Sequence, residues 1–336
     1  MGIFSKIKGG ISSKANAALD KAIDPEKEIE MAILELEEGR KKAMAELLSY
    51  KTTAKQLEQD LEKYRAKAAE WEKRAMTALR AGDEDMAQLF RGIDVVVHSA
   101  YIPSAERDVY SDFPPQIDRF HAEFENVRMA QRVYRCALDA GVRRVVAVSS
   151  NHAADWYEHA QVHQRRKDTV YPTDLPLADN FYGWSKASYE LLAHPYACGT
   201  FGRCMEFVML RIGSPYPIDV SRYEAGAKPA PSGLARPTGI AGFKRALGAY
   251  LSDRDCAALF RCAVEAPLAL PPGSVPWVIA YGISDNTRAF WSLESARSVV
   301  GYAPRDDSEV VYADVVRRLL TASDAAPGGR LGPATH

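Results

Sequence analysis

The 336 residues contain no apolar run near the roughly 20 that a membrane span needs. There is no C-x-x-C pair; Cys136, Cys198, Cys204, Cys256 and Cys262 are scattered. They read as reduced thiols, buried as small hydrophobes in a cytoplasmic protein, so neither a disulfide framework nor a metal site is expected. No charge surplus exists: the formal net charge is -1, which argues against nucleic acid as a partner. The N-terminus has lysines but no continuous apolar core, so it does not read as a secretory signal. Proline is nearly absent from residues 1–88, where only Pro25 stands, whereas prolines, aromatics and β-branched runs crowd the rest. An abrupt shift of that kind marks a boundary between independent units. The expected organisation is a basic helix over 1–24, a long helix over 25–88 and an α/β domain over 89–336.

Ile3, Phe4, Ile7, Ile11, Ala15, Ala18 and Leu19 fall at helical spacing, flanked by Lys6, Lys8, Lys14 and Lys21. A weak apolar stripe with a basic flank predicts a helix lying on an anionic membrane surface. Asp24, Pro25 and Glu26 then form a helix start: a capping carboxylate, a proline suited to the first turn, and acid at the positive end of the dipole. Ile29, Ile33, Leu36, Leu47, Ala54, Leu57, Leu61, Tyr64, Ala68, Trp71, Ala75 and Leu79 recur at three- and four-residue steps. This is a coiled-coil seam, and a lone helix cannot bury it, so self-association is expected. Gly82-Asp83 reads as the stop.

The segments MGIF, DPEK and AAEWEKRAMTALRAGDEDMA resemble the N-terminus of the phage shock protein A family. That resemblance implies a membrane-inserting helix followed by a long helical hairpin that assembles on membranes. It extends to about residue 88 and stops where the returning arm of the hairpin is due.

Beyond residue 90 the pattern becomes that of a parallel α/β protein. Strands are predicted at 94–98, 143–150, 205–213 and 277–284, with a helix from Phe120 to Ala140 ended by Gly141. Ligands of such sheets sit beyond the carboxyl ends of the strands. There the Y-G-W-S-K run places Tyr182 and Lys186 one helical turn apart. A nearby ammonium lowers a phenol pKa, so that the tyrosinate can exchange a proton with a substrate hydroxyl. Ser149 and Ser150 close the preceding strand, where a hydroxyl can hold the substrate oxygen.

The stretches DVVVHSA, ENVRMAQRVYRCALDAGVRRVVAVSS, YGWSKASYE, RIGSPYP and YGISDNTRAFW resemble the extended short-chain dehydrogenase/reductases, the NAD-dependent epimerase/dehydratase family. SSNH, RIGS and the ISDN-x-R-x-x-W run are similar to its uronate-dehydrogenase-like branch. The resemblance implies Ser150, Tyr182 and Lys186 as the catalytic set, with Asn151, His152, Ser214 and Arg245 toward a sugar-type substrate. It also implies NAD or NADP as cofactor, faced by Ala100, Tyr182, Lys186 and Ile212. Residues 156–167 and 218–243 depart from the family pattern and read as insertions.

The family's opening strand, G-x-x-G-x-x-G turn and helix find no counterpart. That turn lets the backbone approach a pyrophosphate at a helix N-terminus, so cofactor binding is expected to be impaired. The fold class is therefore a truncated Rossmann-like parallel sheet with helices, preceded by a long helix. Three functions compete: a sugar or sugar-acid oxidoreductase of weak activity, a membrane-associated assembly protein peripheral to the inner membrane, and a gene fusion that does neither.

Overall fold

The structure, a computed structural model, describes residues 25–80, 88–103, 119–224 and 239–320. The expected membrane-surface helix at 1–24, the stop at Gly82-Asp83, part of the 218–243 insertion and the side chains of Ile29, Ala68, Trp71, Ala75 and Leu79 lie outside the described residues. The chain divides into two compact units, Met1–Thr77 and Ala78–His336.

Helix α1, Pro25–Arg80, makes up the described part of the first unit and ends three residues past its boundary; its 56 residues extend about 84 Å at 1.5 Å each. Alanine, lysine, glutamate and leucine dominate it, and no proline follows Pro25, so nothing interrupts the backbone ladder. Its apolar seam is open. Ile33, Leu36, Leu47, Leu57 and Tyr64 are all exposed, and even Leu61 is 48% exposed.

The second unit is built on four parallel strands in the order β1-β2-β3-β4: Val95–His98, Arg144–Ser150, Glu206–Ile212 and Trp277–Gly282. All four match the expected strands to within two residues. The last stops short because Ser284 N leaves the ladder to donate to Tyr250 O at 2.9 Å. The strands read as near-continuous apolar runs because both faces are covered. On one face Val96, Val145, Ala147, Phe207, Met209 and Ile279 pack against helices α2 (Phe120–Asp139) and α3 (Phe181–Ala197). On the other, Val146, Val208, Leu210, Val278 and Ala280 pack with α5 (Asp253–Glu265) and α6 (Glu294–Ser298), while α4 (Gly239–Ala249) lies between β3 and α5 in sequence. The alternation of odd and even strand positions between the two clusters is that of a pleated sheet.

The entering ends of the strands are tied together by charge. Arg143 binds Asp94 at 2.8 Å and Glu206 at 2.7 Å, and Arg144 reaches the same Glu206 at 2.6 Å. Arg144 is buried and donates Nη1 to the carbonyls of Ala263, Val264 and Ala266 at the end of α5. Near the carboxyl ends of the strands, Glu190 of α3 and Arg211 of β3 form a fully buried pair at 2.7 Å. Ser149 Oγ donates to Glu190 and Arg211 donates to the Tyr281 hydroxyl, so this buried charge is paired and hydrogen-bonded.

One expectation is corrected. All five cysteines are free, but only Cys136 is buried; Cys198 and Cys204 are exposed, because they lie in the turn region between α3 and β3.

Candidate active site

At the end of β2, Ser150 leaves the sheet and caps a short 3-10 turn, Asn151–Ala154, its Oγ accepting from His152 N at 3.2 Å. The turn runs into an irregular helical stretch, Asp155–Tyr157 and then a π-turn at Glu158–Val162. His152 Nδ1 lies 2.7 Å from Asp155 Oδ2, and Asn180 Nδ2 donates to the same oxygen at 2.9 Å. Asn180 also caps α3, its Oδ1 accepting from Gly183 N at 2.8 Å. One carboxylate therefore sets both the His152 ring and the start of the helix that carries Tyr182. The contact is close: a Cβ on Gly183 would lie 2.2 Å from His152 O, so only glycine fits.

Tyr182 is half-buried, and its ring meets His152 at 5.6 Å and Tyr101 at 5.5 Å, both edge to face. One turn on, Lys186 is buried; its Nζ donates to Val148 O at 3.2 Å. The same ammonium stands 5.8 Å from the Tyr182 ring centre, 5.1 Å from Tyr101 and 4.7 Å from Tyr189. Burial pushes the Lys186 ammonium down to about 8, against the opposing pull of Glu123. Burial, with the charge of Lys186, pushes His98 down to about 3, so its imidazole is neutral.

Ser150, Asn151, His152, Tyr182 and Lys186 thus lie together at the carboxyl edge. Ala100 precedes Tyr101 just past β1, and Ile212 pairs with Ser150 in register. Ser214 follows Gly213, where a Cβ would lie 2.2 Å from Ala249 O; its own N–H donates to that carbonyl at 2.7 Å. Arg245 is engaged by the stretch that follows the 3-10 turn. It binds Glu158 through Nε at 2.8 Å and Nη2 at 3.1 Å, and its guanidinium lies over Trp291. Residues 156–167, an insertion by sequence pattern, are what engage it.

Sequence reasoning passed over the support of this site. Tyr101 donates to Glu123 at 2.5 Å, Ser185 donates to the other Glu123 oxygen at 2.7 Å, and Glu123 is fully buried. Asn126 clamps the chain beside Tyr101, accepting from Ile102 N at 2.7 Å and donating to Ile102 O at 3.0 Å. Asn126 stands inside the ENVRMAQR stretch; Glu123 and Tyr101 carry no spacing signal.

The residues present suit the nicotinamide-ribose end of a dinucleotide. Buried Asn151 Nδ2 has no protein partner and offers a donor beside Ser150. Lys186 would hold the ribose, and the cofactor would supply the hydride acceptor.

The sequence model of the PspA/IM30 family matches residues 2–90. Over 88 residues the chain is 34% identical to the membrane-associated protein Vipp1 of Nostoc punctiforme, covering 26% of this chain and 34% of that protein. Over 225 residues it is 31% identical to an NAD-dependent glucose-6-phosphate dehydrogenase of Haloferax volcanii, covering 65% of this chain and 70% of that enzyme. Among solved structures, uronate dehydrogenase from Agrobacterium tumefaciens superposes with a TM-score of 0.50 at 22% identity, covering 74% of this chain and 73% of that one. That last likeness is one of fold.

Proposed function

The longer part of this two-part chain belongs to the NAD-dependent epimerase/dehydratase family of extended short-chain dehydrogenase/reductases, and from that premise we propose that it oxidises a hydroxyl of a sugar or sugar acid, weakly. The observation that carries this is the placement of Tyr182 and buried Lys186 one turn apart beside the end of the Ser150 strand. Tyr182, as its phenolate, would take the proton of the substrate hydroxyl, and a bound nicotinamide would supply the hydride acceptor. Ser150 and Asn151 hold the reacting oxygen, and Lys186 keeps positive charge near the phenolate as it accepts the proton. His152, fixed by Asp155, faces the Tyr182 ring and orients the rest of the substrate. NAD or NADP serves equally on this reading.

Weakness follows from the missing glycine turn, since pyrophosphate recognition depends on backbone N–H groups at a helix start. Among the described residues, β1 pairs only with β2, which leaves no second strand beside it to carry such a turn. Calorimetry with NAD tests this on two proteins, the chain itself and one in which a strand, glycine turn and helix replace residues 1–88. Weak or undetectable binding by the first and micromolar binding by the second is expected. Micromolar binding by the unmodified chain overturns the proposed impairment; no binding by the restored one overturns the site.

A second reading rests on the open seam of α1: this arm self-associates as a phage-shock-type assembly element, with the basic stretch at residues 1–24 on an anionic membrane surface. The third reading is a gene fusion joined near Gln88-Leu89 that does neither, and sequencing the locus across that point tests it.

A further inference from the structure

Next to the site lies a cluster of polar side chains of which the proposed oxidation uses only Asp155, through His152. A carboxylate oxygen from each of Asp155 and Glu158 and a ring nitrogen of His159 lie within 4.8 Å of one another, and all three residues are buried. Four residues after His159 comes His163, also buried, with its ring 6.1 Å from that of His159. Its Nε2 lies 3.3 Å from Glu158 Oε1 yet makes no hydrogen bond. A buried imidazole nitrogen whose neighbouring carboxylate is already bound by an arginine, and which forms no well-aligned hydrogen bond to it, calls for an explanation.

We propose that Asp155, Glu158, His159 and His163 form a structural site for a divalent transition metal of the zinc class. Two imidazoles and two carboxylates are a donor set that suits zinc, and four protein ligands close a tetrahedral site. Ligand atoms around such an ion stand about 3.4 Å apart, so the Asp155, Glu158 and His159 atoms draw in from within 4.8 Å of one another, while His163 Nε2 already stands 3.3 Å from Glu158 Oε1. The surroundings are those of a metal-binding histidine. His159 Nδ1 is held by Asp179 Oδ2 at 2.5 Å, which leaves Nε2 as the ligating atom and fixes the ring. Arg245 uses one lone pair on each Glu158 oxygen, and a carboxylate offers about four such sites, so the guanidinium can remain while Glu158 ligates.

The backbone is shaped for the same purpose. Residues 158–162 form a π-turn, a wide turn that changes which side chains share a face, and it carries Glu158 and His159 with His163 immediately after it. An ion here would pin the stretch that follows Ser150 and, through Asp155, the His152 ring that faces Tyr182.

The test uses the full chain, stripped with a chelator and carrying Cys198→Ser and Cys204→Ser so that exposed thiols cannot bind metal. Cobalt(II) is the probe, read by its visible absorption and by metal content per chain. One cobalt per chain is expected, displaced by zinc. Asp179→Asn, an isosteric change outside the ligand set, is expected to weaken binding by about 10–100-fold. His159→Ala and His163→Ala should each abolish the tetrahedral spectrum. Circular dichroism reports whether each variant folds, and if either alanine variant does not, Asp179→Asn decides. No cobalt uptake by the stripped chain overturns the proposal. So does uptake that neither alanine variant diminishes, or that Asp179→Asn leaves unchanged.

Discussion

The two parts of this chain treat their apolar residues in opposite ways. In α1, leucines recur at helical spacing and remain exposed, Leu57 at 63%. In the sheet, residues such as Leu210 and Val208 are wholly buried between two layers of helices. Both segments are rich in good formers of their own secondary structure, so local propensity does not separate them. What separates them is whether the chain supplies a second surface. The α/β part carries its own packing partners, whereas α1 is a helix whose seam implies a partner that its own stretch does not provide.

The comparison breaks most visibly if charge burial in the sheet proves cheap. Glu190→Ala leaves Arg211 buried without its counter-ion, and a loss of about 3–5 kcal/mol is expected in denaturant melts of the α/β part. Unchanged stability would mean that water or another acid reaches Arg211. The next test applies one truncation to both regions. Leu210→Ala should cost about 2–5 kcal/mol, because it opens a cavity in a packed core. Leu57→Ala should change the melting of the α/β part by about 0.5 kcal/mol or less. If Leu57→Ala instead shifts the sedimentation of the full chain, the seam of α1 is filled by another copy.

A further effect is one of pH. Burial lowers the Lys186 pKa to about 8, below the unfolded value of about 10.4, so the folded state releases this proton first. Between those two values the unfolded state binds more protons, and stability rises with pH. Below the lower value the full penalty of burying the charge applies, and above the upper one it is gone. The slope contributed is at most about 1.4 kcal/mol per pH unit. Urea melts of the chain and of Lys186→Met between about pH 8 and 9.5 isolate it; parallel curves would rule out the shift.

Much of this was legible from residues alone. The strands at Val95, Arg144, Glu206 and Trp277 announce themselves as β-branched and apolar runs, and the break near residue 88 as a change of composition. The grouping of Ser150 with Tyr182 and Lys186 follows from one strand end and one helical turn. The remainder depends on approaches that sequence spacing does not encode. Arg245 and Glu158 are 87 positions apart, and Tyr101 and Glu123 are joined by a fold of the chain. The His159–His163 spacing was visible, but it fell in a stretch that family likeness marks as inserted, and it drew no metal expectation. The exposed cysteines show the limit of arguing from average behaviour: burial of a small thiol is decided by its address.

The arginine ties at the entering ends of the strands carry a last consequence. Arg143 and Arg144 fasten β1, β3 and the tail of α5 at one end of the sheet, while every residue assigned to chemistry sits at the other. The fastened end sets the architecture and the opposite end bears the specificity. The stretch that follows Ser150 belongs to the packed core through Ala154 and Val162, so rebuilding it disturbs the strands beneath. An exposed position past β3, such as Tyr216, is by contrast a place on that rim where a new binding group can be added at little cost.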